Sequence, residues 1–423
     1  MRFFEFFLFI IVFQNLYELH AKVNKESFVE LQYTRFLVKS ENRLETAYNL
    51  VLDYNYQGEN YFFDGFVNLN QPYLLASSGD IRRLGYRNQS VIIGKEPYAF
   101  SMFEAVTPIA NLDPGVYWDP FEPYNSGSFQ LSYTLAVEKL SFLFSIVPIY
   151  IPSLKFMPEN TDKGLVTKNR FVGSYYDSAV IRGKKYILYV YSENEPLLEM
   201  LFTHPKFIFT SNYKNDFIDT SIIYSFGPEN GFRADTSEYV DFDDNDEVRL
   251  EVDAKLHLQN QHVLGLVSDF KYKNFNLFTD ISYTKRLNRN ITEKDLKRND
   301  KFVGAIGMGA FSQSKIGGVL KFAYEEDIAT IGPVDTGKNS LAYNRLSFDI
   351  FKEDFIITNF NIALIANHGL KTKDTYLGYK MNYKISDFVI KFRLALLKSD
   401  KNEGYFDSYR TSDFVRTSVA YTW

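Results

Sequence analysis

The chain has 423 residues, no cysteine, and 47 basic against 52 acidic residues, for a net charge of −5. The missing cysteines exclude disulfides, thiolate zinc sites, c-type haem attachment and a cysteine lipid anchor. The near-balanced charge, with no basic stripe, gives no footprint for nucleic acid.

In chain order, the first 21 residues read as a secretory signal peptide. Arg2 supplies the positive charge, and Phe6 to Phe13 form an apolar stretch too short to span a bilayer. Cleavage is expected near Ala21, although Leu19 and Glu5 are atypical for such a signal; a buried N-terminal helix is the alternative. Beyond it there is no run of the roughly 20 apolar residues that a transmembrane helix requires. A membrane protein without such helices must be a closed barrel, because hydrocarbon offers backbone groups no other partner. Aromatic residues make up 17% of the chain, and they suit strands and membrane–water girdles.

Strand candidates follow at 25–38, 44–56, 59–69, 86–95, 126–137, 139–151, 184–193, 206–213 (the shortest), 216–226, 247–258, 261–272 and 274–286. They continue at 299–311, 315–326, 340–351, 354–366, 373–383, 386–398 and 412–423. A strand alternates faces with period two, and many of these alternate cleanly. Phe129, Leu131, Tyr133, Leu135 and Val137 oppose Ser128, Gln130, Ser132 and Thr134. Ile218, Thr220, Ile222, Tyr224 and Phe226 oppose Asp219, Ser221 and Ser225. In 247–258, Val248, Leu250, Val252, Ala254, Leu256 and Leu258 oppose Glu247, Arg249, Glu251, Asp253, Lys255 and His257. The candidates number nineteen, whereas bacterial single-chain barrels have even strand counts, so about 18 strands (16–20) are expected.

Tight and long linkers alternate, as short periplasmic turns and long external loops do. The tight link at Gln259-Asn260 breaks that parity. Either it is a short external loop, or 227–246 hides another strand near Tyr239. Residues 96–125 hold Pro97, Pro108, Pro114, Pro120 and Pro123 among many aromatics, and 152–183 is similarly irregular. Loops of this length are usually functional, and a barrel gives 96–125 a natural place as a constriction of the lumen.

Val415, Thr417, Val419, Tyr421 and Trp423 share one face of the last strand, opposite Arg416, Ser418, Ala420 and Thr422. This strand resembles the closing strand of bacterial outer-membrane β-barrels. The resemblance implies that Tyr421 and Trp423 form an assembly signal read by the barrel-assembly machinery. Gly85 to Lys95, then Leu112-Asp113-Pro114 and Asp119-Pro120-Phe121, then Pro148 to Leu154 are loosely similar to alginate-export-type and related uncharacterised porin families. The likeness covers about 70 residues and lacks the usual Trp-Gly after the first strand.

The alternating charges at Glu247, Arg249, Glu251, Asp253, Lys255 and His257 are expected to line a hydrated lumen, as opposed charge ladders do in selective pores. Lys391, Arg393 and Arg416 lie on wet faces of late strands and are expected to join that lining. The acidic run Asp241, Asp243, Asp244, Asp246 and Glu247 fails the EF-hand spacing and reads as solvated loop charge; divalent bridging to lipopolysaccharide stays open. No catalytic motif occurs, and His262 and Ser268 lie six residues apart, too far to hydrogen-bond along one strand.

The expectation is therefore all-β: a signal peptide (1–21), then one large antiparallel transmembrane β-barrel (22–423) in a bacterial outer membrane. It would be a porin-like channel for passive or weakly selective passage of small polar or amphipathic solutes, with no enzyme activity and no cofactor or metal. Its partners would be outer-membrane lipids and lipopolysaccharide, with homo-oligomerisation open. A non-conducting barrel acting as adhesin or anchor through its loops is the alternative. A lipid-acting barrel enzyme ranks behind both.

Overall fold

The computed structural model describes residues 27–39, 43–101, 103, 107–110, 112–151, 153, 159–161, 164–172, 178–181, 184–193, 204–229, 233–242, 248–287, 300–312, 315–327, 344–399, 406, 409 and 411–423. Residues 1–21, expected to be a signal peptide, lie outside them.

Alternation gives each strand two unlike faces, and the wall made from these strands closes on itself. Its strands are β1 (Phe28–Phe36), β2 (Thr46–Gln57), β3 (Tyr61–Gln71), β4 (Ser78–Arg87), β5 (Val91–Glu96) and β6 (Ser128–Val137). Next come β7 (Leu140–Ile149), β8 (Lys206–Lys214), β9 (Ile218–Pro228), β10 (Asn260–Tyr272), β11 (Phe275–Arg286) and β12 (Lys301–Phe311). The last six are β13 (Ile316–Asp327), β14 (Arg345–Lys352), β15 (Phe360–Gly369), β16 (Thr375–Ile385), β17 (Phe388–Lys398) and β18 (Phe414–Thr422). Each pairs antiparallel with its chain neighbours in one 18-stranded sheet. β1 pairs β18 from Phe28↔Thr422 to Phe36↔Phe414, which closes the ring and leaves no edge.

Two expected wall strands are corrected. Lys184–Glu193 and Val248–His257 pair with each other in parallel, in a separate four-stranded sheet with Ser178–Ile181 and Arg233–Phe242. This sheet is built from the β7–β8 and β9–β10 connections. The alternation at 248–257 is real, but a sheet outside the wall shows the same period. The hidden strand near Tyr239 exists, as Arg233–Phe242. With 229–259 taken as one connection, the parity problem at Gln259-Asn260 disappears. Links of at most seven residues then join β2–β3, β4–β5 and so on to β16–β17, and every connection longer than that leaves the opposite end. Trp423 N donates to Ser27 O (3.1 Å), so both ends of the wall sit at the tight-turn end, the periplasmic end in outer-membrane barrels.

The expected strand 86–95 is really the end of β4, a tight turn and most of β5. β4 carries a β-bulge: Asp64 pairs Arg83 and Gly65 pairs Ile81, which leaves Arg82 extra. A bulge re-aims side chains. Here the adjacent Arg82 and Arg83 both reach inward-facing carboxylates, Asp53 at 2.7 Å and Glu96 at 3.0 Å. Gly94, at φ +141, faces Gly85 across β4–β5, where a Cβ would collide with the Leu84 carbonyl.

The outer face is apolar. Leu31, Ile222, Leu264, Met308, Ile390 and Val419 are 47–61% exposed and come from strands all round the ring. On a soluble protein this much exposed hydrocarbon would be a liability; here it forms a belt. Aromatic rings crowd the tight-turn end, including Tyr61 on Tyr86 (5.4 Å), Phe388 on Tyr421 (5.2 Å) and Tyr421 on Trp423 (6.1 Å). That is the interfacial girdle of a transmembrane barrel.

Candidate functional site

The inner face has two characters. On β10, β12 and β13 it carries small apolar residues, Val263, Gly265, Val267, Val303, Ala305 and Ala323, with the polar Asp280, Ser282 and Thr284 of β11 between them. The β5–β6 connection, residues 97–127, packs onto this side. Ile109 is fully buried with Tyr98, Leu112, Val147, Ile208, Ile223, Val263 and Val267. Gly265 makes room for it, since a Cβ there would force the end of the Ile109 side chain to shift. Phe103 meets Phe278 (5.1 Å between ring centres), and Thr107 donates its hydroxyl proton to Asp280.

Asp113 fixes the root of this segment. It accepts from Tyr98 N and from Ser128 N (3.1 Å) and Oγ (2.8 Å). Burial pushes its carboxyl up to about 6. Lys206 donates to Leu112 O (2.5 Å).

The far end of the segment reaches a different wall. Arg393 Nη1 on β17 donates to Asp119 Oδ2 (2.6 Å) and Glu122 Oε2 (2.7 Å). Arg416 on β18 lies 3.4 Å from Asp119 and donates through Nε to Thr34 Oγ1 (3.0 Å). Lys380 pairs with Glu122. Burial works to raise the Asp119 carboxyl, but Arg393 and Arg416 offset it and hold it below the usual carboxylate range. Phe121 stacks on Tyr376 (5.5 Å) in a cluster with Phe36, Phe406 and Phe414. Residues 97–127 therefore run across the bore, from the β10–β12 side to the β16–β18 side.

A second segment enters from the β7–β8 connection. Lys168 O accepts from Leu44 N (3.0 Å), Arg170 donates to Val38 O, and Ser412 Oγ donates to Arg170 O (2.6 Å). Burial, with Arg43 adding repulsion, pushes the Arg170 guanidinium down to about 10, so it stays a cation at neutral pH.

Between these segments and the inner face of β1–β4 lies a cavity of about 200 Å³. The wall side presents Gln32, Thr34, Asn49, Asn68, Asn70 and Ser78; the segment side presents Trp118, Asp119, Glu122, Tyr124, Asn169, Arg170 and Phe171, with Arg416 between. A relay of side chains crosses the wall here. Asn70 Nδ2 donates to Asn49 Oδ1 (2.5 Å), Asn49 Nδ2 to Gln32 Oε1 (3.3 Å), and Gln32 Nε2 to Glu30 Oε1 (3.1 Å). Lys391 donates to Glu30 Oε2 (2.6 Å).

Of the expected lining, Lys391, Arg393 and Arg416 stand on the inner face, each matched to an acidic partner. Arg249, Glu251, Asp253, Lys255 and His257 lie in the loop sheet rather than the wall, and Glu247 lies outside the described residues. Of the acidic run, Asp243, Asp244 and Asp246 also fall outside them. The amide row of β1–β3 and the bulge at Arg82 were missed. The signal for the amides was present, because Asn68 and Asn70 alternate with Val67 and Leu69. His262 Nδ1 pairs with Tyr224 OH (2.8 Å) and His368 Nδ1 with Thr375 Oγ1 (2.8 Å).

No family model matches the chain, and no curated protein matches it. Among solved structures it is similar to Acinetobacter baumannii OccAB3 (11% identity, 95% of this chain and 99% of that one, TM-score 0.45). It is also similar to Pseudomonas aeruginosa OccK11 (OpdR) (12%, 94% of each, TM-score 0.44) and to a triple mutant of the Rhodopseudomonas blastica porin (8%, 94% and 99%, TM-score 0.38). The closed ring of pairings, the apolar belt with its aromatic girdle and the polar groups lining the bore give this chain the architecture of a closed, 18-stranded transmembrane β-barrel.

Proposed function

We propose that the protein is a channel for small polar solutes, with residues 97–127 as its constriction. The observation that carries this reading is the segment's double anchorage, at Asp280 on one side and at Arg393 and Arg416 on the other, beside a cavity lined by polar side chains. A segment held at two walls narrows a bore to a shaped opening, and the groups around the opening set which solutes pass. The purified, folded protein in planar bilayers is expected to give discrete single-channel steps. Folded protein that inserts and gives no steps would favour the loop-borne anchor or adhesin reading.

The closing strand is proposed to carry the assembly signal through Tyr421 and Trp423. Removing Trp423 is expected to lower severalfold the amount of heat-modifiable, folded barrel recovered from outer membranes. Recovery unchanged from the full chain would remove that role.

A further inference from the structure

We propose that the cavity between β1–β4 and the two inward segments binds neutral polyhydroxylated solutes, sugar rings in particular. The proposal rests on the channel reading for its purpose, and on the cavity alone for its chemistry.

Charge comes first. Asp119 and Glu122 are met by Arg393, and Arg416 is met by Asp119. Arg170 stands near Arg43 but also near Glu45 and Asp413, which oppose that repulsion. Asp119, Glu122, Arg393 and Arg416 are thus satisfied by one another, and an ionic solute would have to break those pairs to gain its own. Arg170 donates through Nη2 to Val38 O, and its Nε and Nη1, without a partner among the described residues, add N–H donors on the segment side.

The neutral groups differ. Asn68 Oδ1 and Asn70 Oδ1 on the wall, and Asn169 Nδ2 opposite, are buried and find no partner among the described residues. Asn169 cannot turn its oxygen outward without loss, because Oδ1 already accepts from Phe171 N (2.9 Å). A buried polar atom left unmatched is costly. The cavity therefore offers acceptors on one side and a donor on the other. A hydroxyl both donates and accepts, so a solute bearing several hydroxyls matches both sides after small amide rotations. Aromatic rings complete the lining: Phe66, Trp118, Tyr124 and Phe171 offer flat apolar surfaces to the C–H faces of a sugar ring. At about 200 Å³ the space lies below the usual range of drug-sized ligand pockets, about 300–1,000 Å³, which limits it to one ring at a time.

Trp118 lines the cavity, and the only other tryptophan is Trp423. A Trp423→Phe variant keeps an aromatic terminus and leaves Trp118 as sole reporter. In detergent micelles at fixed ionic strength, glucose and maltotriose are expected to change its emission saturably, while glutarate and lysine do not. Asn68→Leu with Asn70→Leu should weaken the sugar response about tenfold or more, as loss of paired buried hydrogen bonds does. A saturable response to glutarate or lysine but not to the sugars, or no response to any probe, overturns the proposal, and neither result depends on the double variant folding. Conductance of the same preparation separates the two readings. Steps without a sugar response keep the channel and remove the sugar site; a sugar response without steps keeps the site and removes the channel.

Discussion

Asp119→Ala is expected to open the channel and turn its selectivity toward anions. Asp119 is the shared partner of Arg393 and Arg416, and its loss leaves two guanidinium groups facing the bore with Glu122 beside Arg393 and Glu30 near Arg416. Removing one partner from a buried ion pair costs about 3–5 kcal/mol, because the remaining charge stays desolvated and unmatched. The Arg393 side chain is only 9% exposed, but it keeps Glu122 at 2.7 Å, so the cost here falls below that range. The penalty falls on docking of the segment rather than on wall pairing, which is held by backbone hydrogen bonds round the ring. Single-channel steps should grow severalfold, and the reversal potential in a salt gradient should shift toward the anion value. Steps of unchanged size and selectivity would mean that residues 97–127 do not set the opening.

Ile222→Arg should destabilise the inserted barrel by about 2–4 kcal/mol, the depth-dependent cost of a cation on the lipid face near the bilayer midplane. Ile222 lies in mid-strand on β9 and is 54% exposed in the bare chain, within the apolar outer belt. Ser221→Arg points the opposite way, into the bore beside Asn212, which donates to Ser221 Oγ (2.8 Å) and to Asp219 (2.6 Å). That substitution should cost far less. Urea unfolding from lipid vesicles measures both. Equal costs at the two positions would mean that the faces do not meet different solvents.

The wall was legible wherever its two faces meet different solvents. β6, β9, β11, β16 and β17 were readable because lipid on one side and a polar bore on the other enforce strict alternation. β4 was not, because the bulge at Arg82 breaks its parity and puts two adjacent arginines on one side. Val248–His257 misled for the opposite reason. Its alternation is the cleanest in the chain, but period two shows only that a strand has two unlike faces, not which sheet holds it. The rhythm of tight and long linkers flagged the conflict at Gln259-Asn260, but an added wall strand near Tyr239 would have restored it as well as removal of Val248–His257 does. The anchors of the inward segment were beyond sequence reasoning. Asp119-Pro120-Phe121 stood out as a motif, but its partner Arg393 is 274 residues away, and only closure of the ring brings them together.

The chain has no cysteine, so single cysteines can be placed and spin-labelled freely. The decisive measurement is label accessibility in lipid vesicles at positions 219 to 222 of β9 and at 250 to 252 of the loop sheet. Labels at 220 and 222 should respond to oxygen dissolved in the bilayer, and labels at 219 and 221 to a water-soluble relaxant. None of the three labels at 250 to 252 should meet the bilayer. Lipid exposure at 250 or 252, or no alternation along 219 to 222, would contradict the barrel as described.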